Sequence, residues 1–133
     1  EWRRTHGQDT RLEWARDALT PAPPRQDGMG LIAARYLATL PAPPPDLVEP
    51  ALSDRSWYIR DAATEAVRRT NRQRAAALWL RELDSRYLAA CRNAVRRLNG
   101  LAGETRTFDC MLPAERQQAR AHWAPLAGTT MAR

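Results

Sequence analysis

Two copies of Ala-Val-Arg-Arg stand 28 residues apart, at 66–69 and 94–97. Their arginines, Arg68 and Arg69 in the first and Arg96 and Arg97 in the second, are the side chains whose type and spacing most directly suggest a contact. A guanidinium is a planar fork of donors that keeps its charge, and it fits the paired oxygens of a carboxylate or a phosphate. If the two segments are helices stacked side by side, the four arginines form a ridge for nucleic-acid phosphates or for a protein partner's carboxylates. The plainer alternative is that arginine is a long, soluble side chain covering the edge of an apolar stripe. Trp57 and Tyr58 open the segment that leads to the first copy, and one of the two is expected to point outward, where it offers a stacking or docking surface.

The remaining reactive side chains do not converge. Asp61 and Glu65 are four apart and share one helix face, with Arg68 and Arg69 just beyond to offset their repulsion. General acid–base work needs a pair of groups meeting in a cleft, and no such pair is legible. His6 and His122 lie at opposite ends of the chain, and no Cys, His or carboxylate cluster has ligand spacing. No catalytic residue, metal or cofactor is therefore expected, and the chain reads as a non-enzyme. Cys91 and Cys110 allow at most one disulfide. Cys91 falls in an apolar helical pattern and reads as a small buried hydrophobe.

Charge has a direction. The net charge is +6, and all 21 basic residues are arginine. Residues 55–97 hold eleven arginines against Asp61, Glu65, Glu82 and Asp84, a local net of +7, while the rest nets −1. A phosphate-binding surface usually mixes lysine with arginine, so the exclusive use of arginine also fits a coding bias.

The elements that must position these groups are helices. The chain has the length of one domain, and alanine and leucine outweigh valine and isoleucine, which favours helix over sheet. Breaks fall at 20–28, 41–45 and 53–56, and Asn99-Gly100 reads as a strong stop. Between them, apolar residues recur at helical spacing. That spacing predicts helices at 9–19, 29–40, 46–52, 57–70, 72–83 and 86–98, then a loop at 101–112 and a last helix at 113–126. The second is expected to bury Met29, Ile32, Ala33, Tyr36, Leu37 and Leu40. Trp79 reads as core, and Trp14 and Trp123 as seals at the two ends. Ser53 or Ser56 is placed to cap the fourth helix. No stretch is long and apolar enough to be a transmembrane helix. The lack of a signal-peptide pattern favours the cytoplasm, although a removed signal would leave no trace.

Internal repetition organises the pattern. At an offset of 28, Ile59, Ala62, Ala63, Ala66 and Val67 fall on Tyr87, Ala90, Cys91, Ala94 and Val95. LIAARYLATL (31–40) fits less closely at an offset of about 30. Small residues at the middle positions let neighbouring helices approach, which is how helix pairs stack into a solenoid. The stretch DLVEPALSDRSWYIRDAATEAVRRT, 46–70, resembles the HEAT-repeat family, especially short bacterial units of the phycobilisome-lyase type. Leu52, Asp54, Ile59, Arg60, Ala62, Ala63 and Ala66 carry that resemblance. It implies structural roles for Asp54, Arg60, Ala62, Ala63 and Ala66, with Asp54 accepting backbone hydrogen bonds or pairing with Arg60. The next unit departs from the pattern: Leu88 stands where Arg60 would fall, and Ser85 is the nearest match to Asp54.

The expected architecture is thus one all-α HEAT-like domain over 1–133. It has about three helix pairs and a capping helix within 99–133, and it also fits the C-terminal part of a longer solenoid. The function that follows is a noncatalytic scaffold or adaptor binding another protein through the concave face of the second helices. Nucleic-acid binding through an arginine ridge is the alternative. A lyase-like or glycosylase-like activity rests on the family resemblance alone.

Overall fold

The computed structural model describes residues 2–20 and 27–128, with backbone alone for 2–9 and 27. The expected break at 20–28 therefore lies largely outside the described residues, as does the side chain of His6. The fold is all-α: seven α-helices and a short 3-10 turn, with no strand among the described residues. The chain divides after Thr70 into two compact units.

The first unit holds α1 (Trp2–Leu19), α2 (Asp27–Ala38), α3 (Pro45–Ala51) and α4 (Trp57–Arg68). α2 lies against both α1 and α4, and α3 packs on α1 and α4. The expected inner stripe of α2 is corrected here. Met29 is 38% exposed and Ile32 54%, whereas Gly30, Ala33, Ala34 and Leu37 are buried. The helix has turned its smallest side chains inward. A Cβ on Gly30 would sit 3.0 Å from Ile59 Cδ1 and 3.4 Å from the Ala18 carbonyl oxygen. The missing Cβ lets the α2 backbone come close to Ile59 and to the end of α1. α4 buries Ile59, Ala62, Ala63, Thr64, Ala66 and Val67. The polar member, Thr64, donates its hydroxyl to the Arg60 carbonyl at 2.7 Å, so it enters the core satisfied.

The second unit holds α5 (Arg72–Glu82), α6 (Leu88–Ala102), α7 (Pro113–Trp123) and the 3-10 turn Ala124–Ala127. α5 packs on α6 and on the 3-10 turn, and α7 packs on both of those. Asn71 caps α5 by accepting from the Arg74 amide at 3.0 Å. The stop expected at Asn99-Gly100 is not used, because α6 runs through it to Ala102. Gly103 ends the helix instead, at φ 67, donating its amide to the Asn99 carbonyl. The last helix is shorter than expected: Pro125 has no amide to donate, and the chain tightens into 3-10 form after Trp123.

The repeat holds in its middle and fails at its edges. Ala62, Ala63 and Ala66 are buried in α4, and Ala90, Cys91 and Ala94 in α6. Tyr87, aligned with buried Ile59, is the N-cap of α6 and is 44% exposed. α6 begins one turn later than its counterpart and compensates by burying Leu98 completely.

Cys91 is not a free buried thiol. It is disulfide-bonded to Cys110 across 19 residues of sequence. No described helix is long and apolar enough to cross a membrane.

Candidate functional site

The four arginines divide between the units. In the first, Arg68 is half-buried and grips Glu65: its Nε donates to Oε1 at 2.9 Å and Nη2 to Oε2 at 3.2 Å. Arg69, the C-cap residue of α4, is exposed. In the second, Arg96 is exposed and donates to Asn93 Oδ1 at 2.6 Å. Arg97 is half-buried, with its guanidinium 5.6 Å from the centre of the Trp79 ring, a cation–π contact that lids a 1%-exposed tryptophan. One member of each pair is thus engaged with its own unit, Arg68 with a carboxylate and Arg97 with a ring. Trp57 and Tyr58 do not split into one inward and one outward ring. Both are half-buried, and they meet edge to face with centroids 5.8 Å apart.

Asp54 and Arg60 organise the turn before α4. Asp54 Oδ1 accepts the Ser56 amide at 2.9 Å, so the N-cap residue Ser56 has its own amide tied back and makes no side-chain cap. Arg60 Nη1 donates to the Asp54 and Arg55 carbonyls at 2.9 and 3.2 Å. The turn before α6 repeats the device with other residues. Ser85 Oγ accepts the Tyr87 amide at 3.1 Å. The guanidinium arrives from α7: Arg116 donates Nη1 to the Ser85 and Leu83 carbonyls at 2.7 and 3.3 Å, and Nε to the Cys110 carbonyl. Leu88 has no guanidinium to offer at the repeat position, and Arg116, 31 residues after Ser85, fills the role.

Residues 103–112 are pinned as an arm beside α6 and α7. Asn99 donates Nδ2 to the Arg106 carbonyl at 2.8 Å and accepts the Arg106 amide at 2.9 Å. Glu104 Oε1 accepts from His122 Nε2 and from Trp123 Nε1, both at 3.0 Å. Those donors, His122 first, hold the Glu104 carboxyl below its ordinary 4.5. Phe108 packs edge to face on the buried Trp123 at 5.2 Å, and Arg106 covers Phe108 at 5.7 Å. His122 and Trp123 therefore act as one clamp, a role no spacing rule reveals, because its carboxylate lies 18 residues upstream.

This bracing leaves an apolar surface uncovered. Met111 is 69% exposed, Leu112 48% and Tyr87 44%. One guanidinium, that of Arg116, bonds both the Ser85 and Cys110 carbonyls, and the disulfide joins Cys110 to the helical turn that follows Tyr87. The three side chains consequently belong to one region of the second unit. Arg86 extends it, 5.0 Å from the Tyr87 ring centre and bonded to the phenol oxygen at 3.0 Å.

Electrostatics separates the units sharply. Residues 1–70 contain ten arginines and ten carboxylates, so their net charge is zero. Residues 71–133 contain eleven arginines and five carboxylates, so the whole +6 is theirs. Most of those five carboxylates have internal work: Glu104 in the clamp, Asp84 with Arg120, Asp109 on the Met111 amide, and Glu115 on the Asp109 amide. Among the described residues, no group of three His, Cys, Asp or Glu side chains is placed to hold a metal. No protein-family model, curated protein or solved structure matches the chain.

Proposed function

We propose that this chain is a noncatalytic HEAT-like helical-repeat module that binds another protein, and that its second unit makes the contact. The observation that carries the reading is the conjunction in that unit of the entire +6 charge with exposed Met111, Leu112 and Tyr87. Methionine, tyrosine and arginine are enriched at protein interfaces, where apolar anchors sit within a polar rim. The partner that fits is an acidic segment carrying apolar anchors: its carboxylates meet the arginines while its apolar side chains cover Met111 and Leu112. The repeat reading rests on the small, buried middle positions shared by α4 and α6.

Nucleic-acid binding through the same arginines is the second reading, and the +6 of the second unit favours it. Apolar side chains as exposed as Met111 have no use on a phosphate backbone, which is why the protein partner is preferred.

The test is capture from a native extract on the wild-type chain and on the Met111→Asp, Leu112→Asp double variant, each with and without nuclease. A protein retained by the wild type, lost with the variant and indifferent to nuclease is expected. Equal capture by both baits, or capture abolished by nuclease, overturns the reading.

A further inference from the structure

The two cysteines of the chain are bonded to each other, and each is sealed from solvent: Cys91 is 0% exposed and Cys110 3%. The seal is built on three sides. Cys91 lies on the inner face of α6 beside Ala90 and Ala94. The Cys110 carbonyl is covered by Arg116, which also ties it to the turn before α6. The arm leading to Cys110 is fixed at Asn99–Arg106 and at Glu104–His122–Trp123. Thiol–disulfide exchange requires in-line attack by a thiolate on a sulfur. No thiolate reaches either sulfur while the arm and α7 are in place.

We infer that the chain is the substrate of a dithiol oxidation that is completed before α7 docks, in a compartment where a disulfide-bearing oxidant outcompetes thiol reductants. The step balances as an exchange. The Cys91 and Cys110 thiols each give up a proton, and the pair gives up two electrons. The oxidant's S–S bond breaks to two thiols as the Cys91–Cys110 bond forms. Such bonds are made and kept in oxidising compartments, whereas glutathione and thioredoxin keep cytosolic thiols reduced. After docking, burial makes the bond a permanent staple rather than a switch. This inference stands independently of any binding function, because it rests only on the bond and its enclosure. It also replaces the cytoplasmic expectation raised by the lack of a signal-peptide pattern.

Alkylation of the protein from its native cells, quenched in acid and then denatured, tests the oxidation. No alkyl group is expected without reductant, and two after reduction. Two alkyl groups without reductant overturn the inference. The second measurement is the rate at which a small dithiol reduces the bond in the folded chain and in urea. The folded rate is expected to be slower by a factor on the order of a thousand, the scale on which a stable fold suppresses its open forms. Equal rates would make the bond an accessible switch and overturn the claim of permanence. Neither measurement needs a variant that could fail to fold.

Discussion

The turn before α4 and the turn before α6 solve one problem with different reach. Both tie an N-cap amide to a side-chain oxygen two residues back, Asp54 in one and Ser85 in the other. Both need a guanidinium on the carbonyls that the turn leaves bare. In the first unit it comes from Arg60, six residues on, in the helix the turn introduces. In the second it comes from Arg116, carried on a separate helix. The first turn is self-sufficient, while the second holds only if residues 103–123 fold back over it. Placing the cation on a later helix also draws the disulfide, the Glu104 clamp and the exposed Met111 into the same small region. Local bracing makes a self-sufficient turn, and remote bracing gathers a surface around the turn it holds.

The largest way to break the contrast is to remove the clamp's buried ring. Trp123→Ala is expected to cost about 3–5 kcal/mol, read by urea denaturation. Hydrogen exchange should lose protection in α6 and α7 while α2 and α4 keep theirs. Loss spread equally over both units would end the idea that the remote bracing serves the second unit alone. Next comes the staple: replacing both Cys91 and Cys110 with alanine is expected to cost roughly 3 kcal/mol for a loop of this size, read the same way and again confined to the second unit.

The guanidiniums themselves give a paired test. Arg116→Met is expected to cost about 2–3 kcal/mol, and Arg60→Met about 1 kcal/mol, compared by thermal unfolding. The reverse order would show that the local brace matters more than the remote one.

The smallest effect sharpens the comparison by pH. Glu104 is held below 4.5 by His122 and Trp123, and Asp46 below 3.8 by Arg16, which donates to it at 2.7 Å. Each folded carboxyl is more acidic than its unfolded form. Its contribution is present above the ordinary carboxylate range and is lost as pH falls through the folded value. Both units should weaken on acidification. Added salt should screen the exposed Arg16–Asp46 pair, but leave the Trp123 bond to Glu104. Glu104→Gln should keep an acceptor for the indole and flatten the second unit's acid limb, measured as unfolding midpoint against pH.

Sequence carried the helices well because their signal is local. Proline, glycine and the apolar period marked all seven, and the Ala62–Ala63–Ala66 set marked the packing face of α4. What it missed depended on partners. The inner face of α2 is not legible in the apolar period because Gly30, with no side chain to count, decides how near Ile59 can come. Asn99 reads as a stop by type, yet its side chain is spent on Arg106 and α6 passes through. The absence of an arginine at Leu88 was visible, but its substitute is a contact across 31 residues that no periodicity reports. Among the candidate contacts, the arginines were visible as a repeated pair. Which of them are already engaged became clear only when Glu65 and Trp79 were seen beside them. The exposed Met111 and Leu112 carry no local signal, since their exposure depends on how residues 103–112 fold back beside α6 and α7.

The remote brace also sets a clock. A ribosome adds roughly 5–20 residues per second. Arg60 emerges only six residues after Asp54, so the first turn can close almost as soon as it is made. Arg116 follows Ser85 by 31 residues, which at that pace is a wait of about two to six seconds. α5 is complete throughout that interval, α6 is finished within it, and Cys110 appears six residues before the guanidinium that covers it. The order of synthesis thus presents both thiols before Arg116 and α7 exist to cover them, which is the interval in which an oxidant can act.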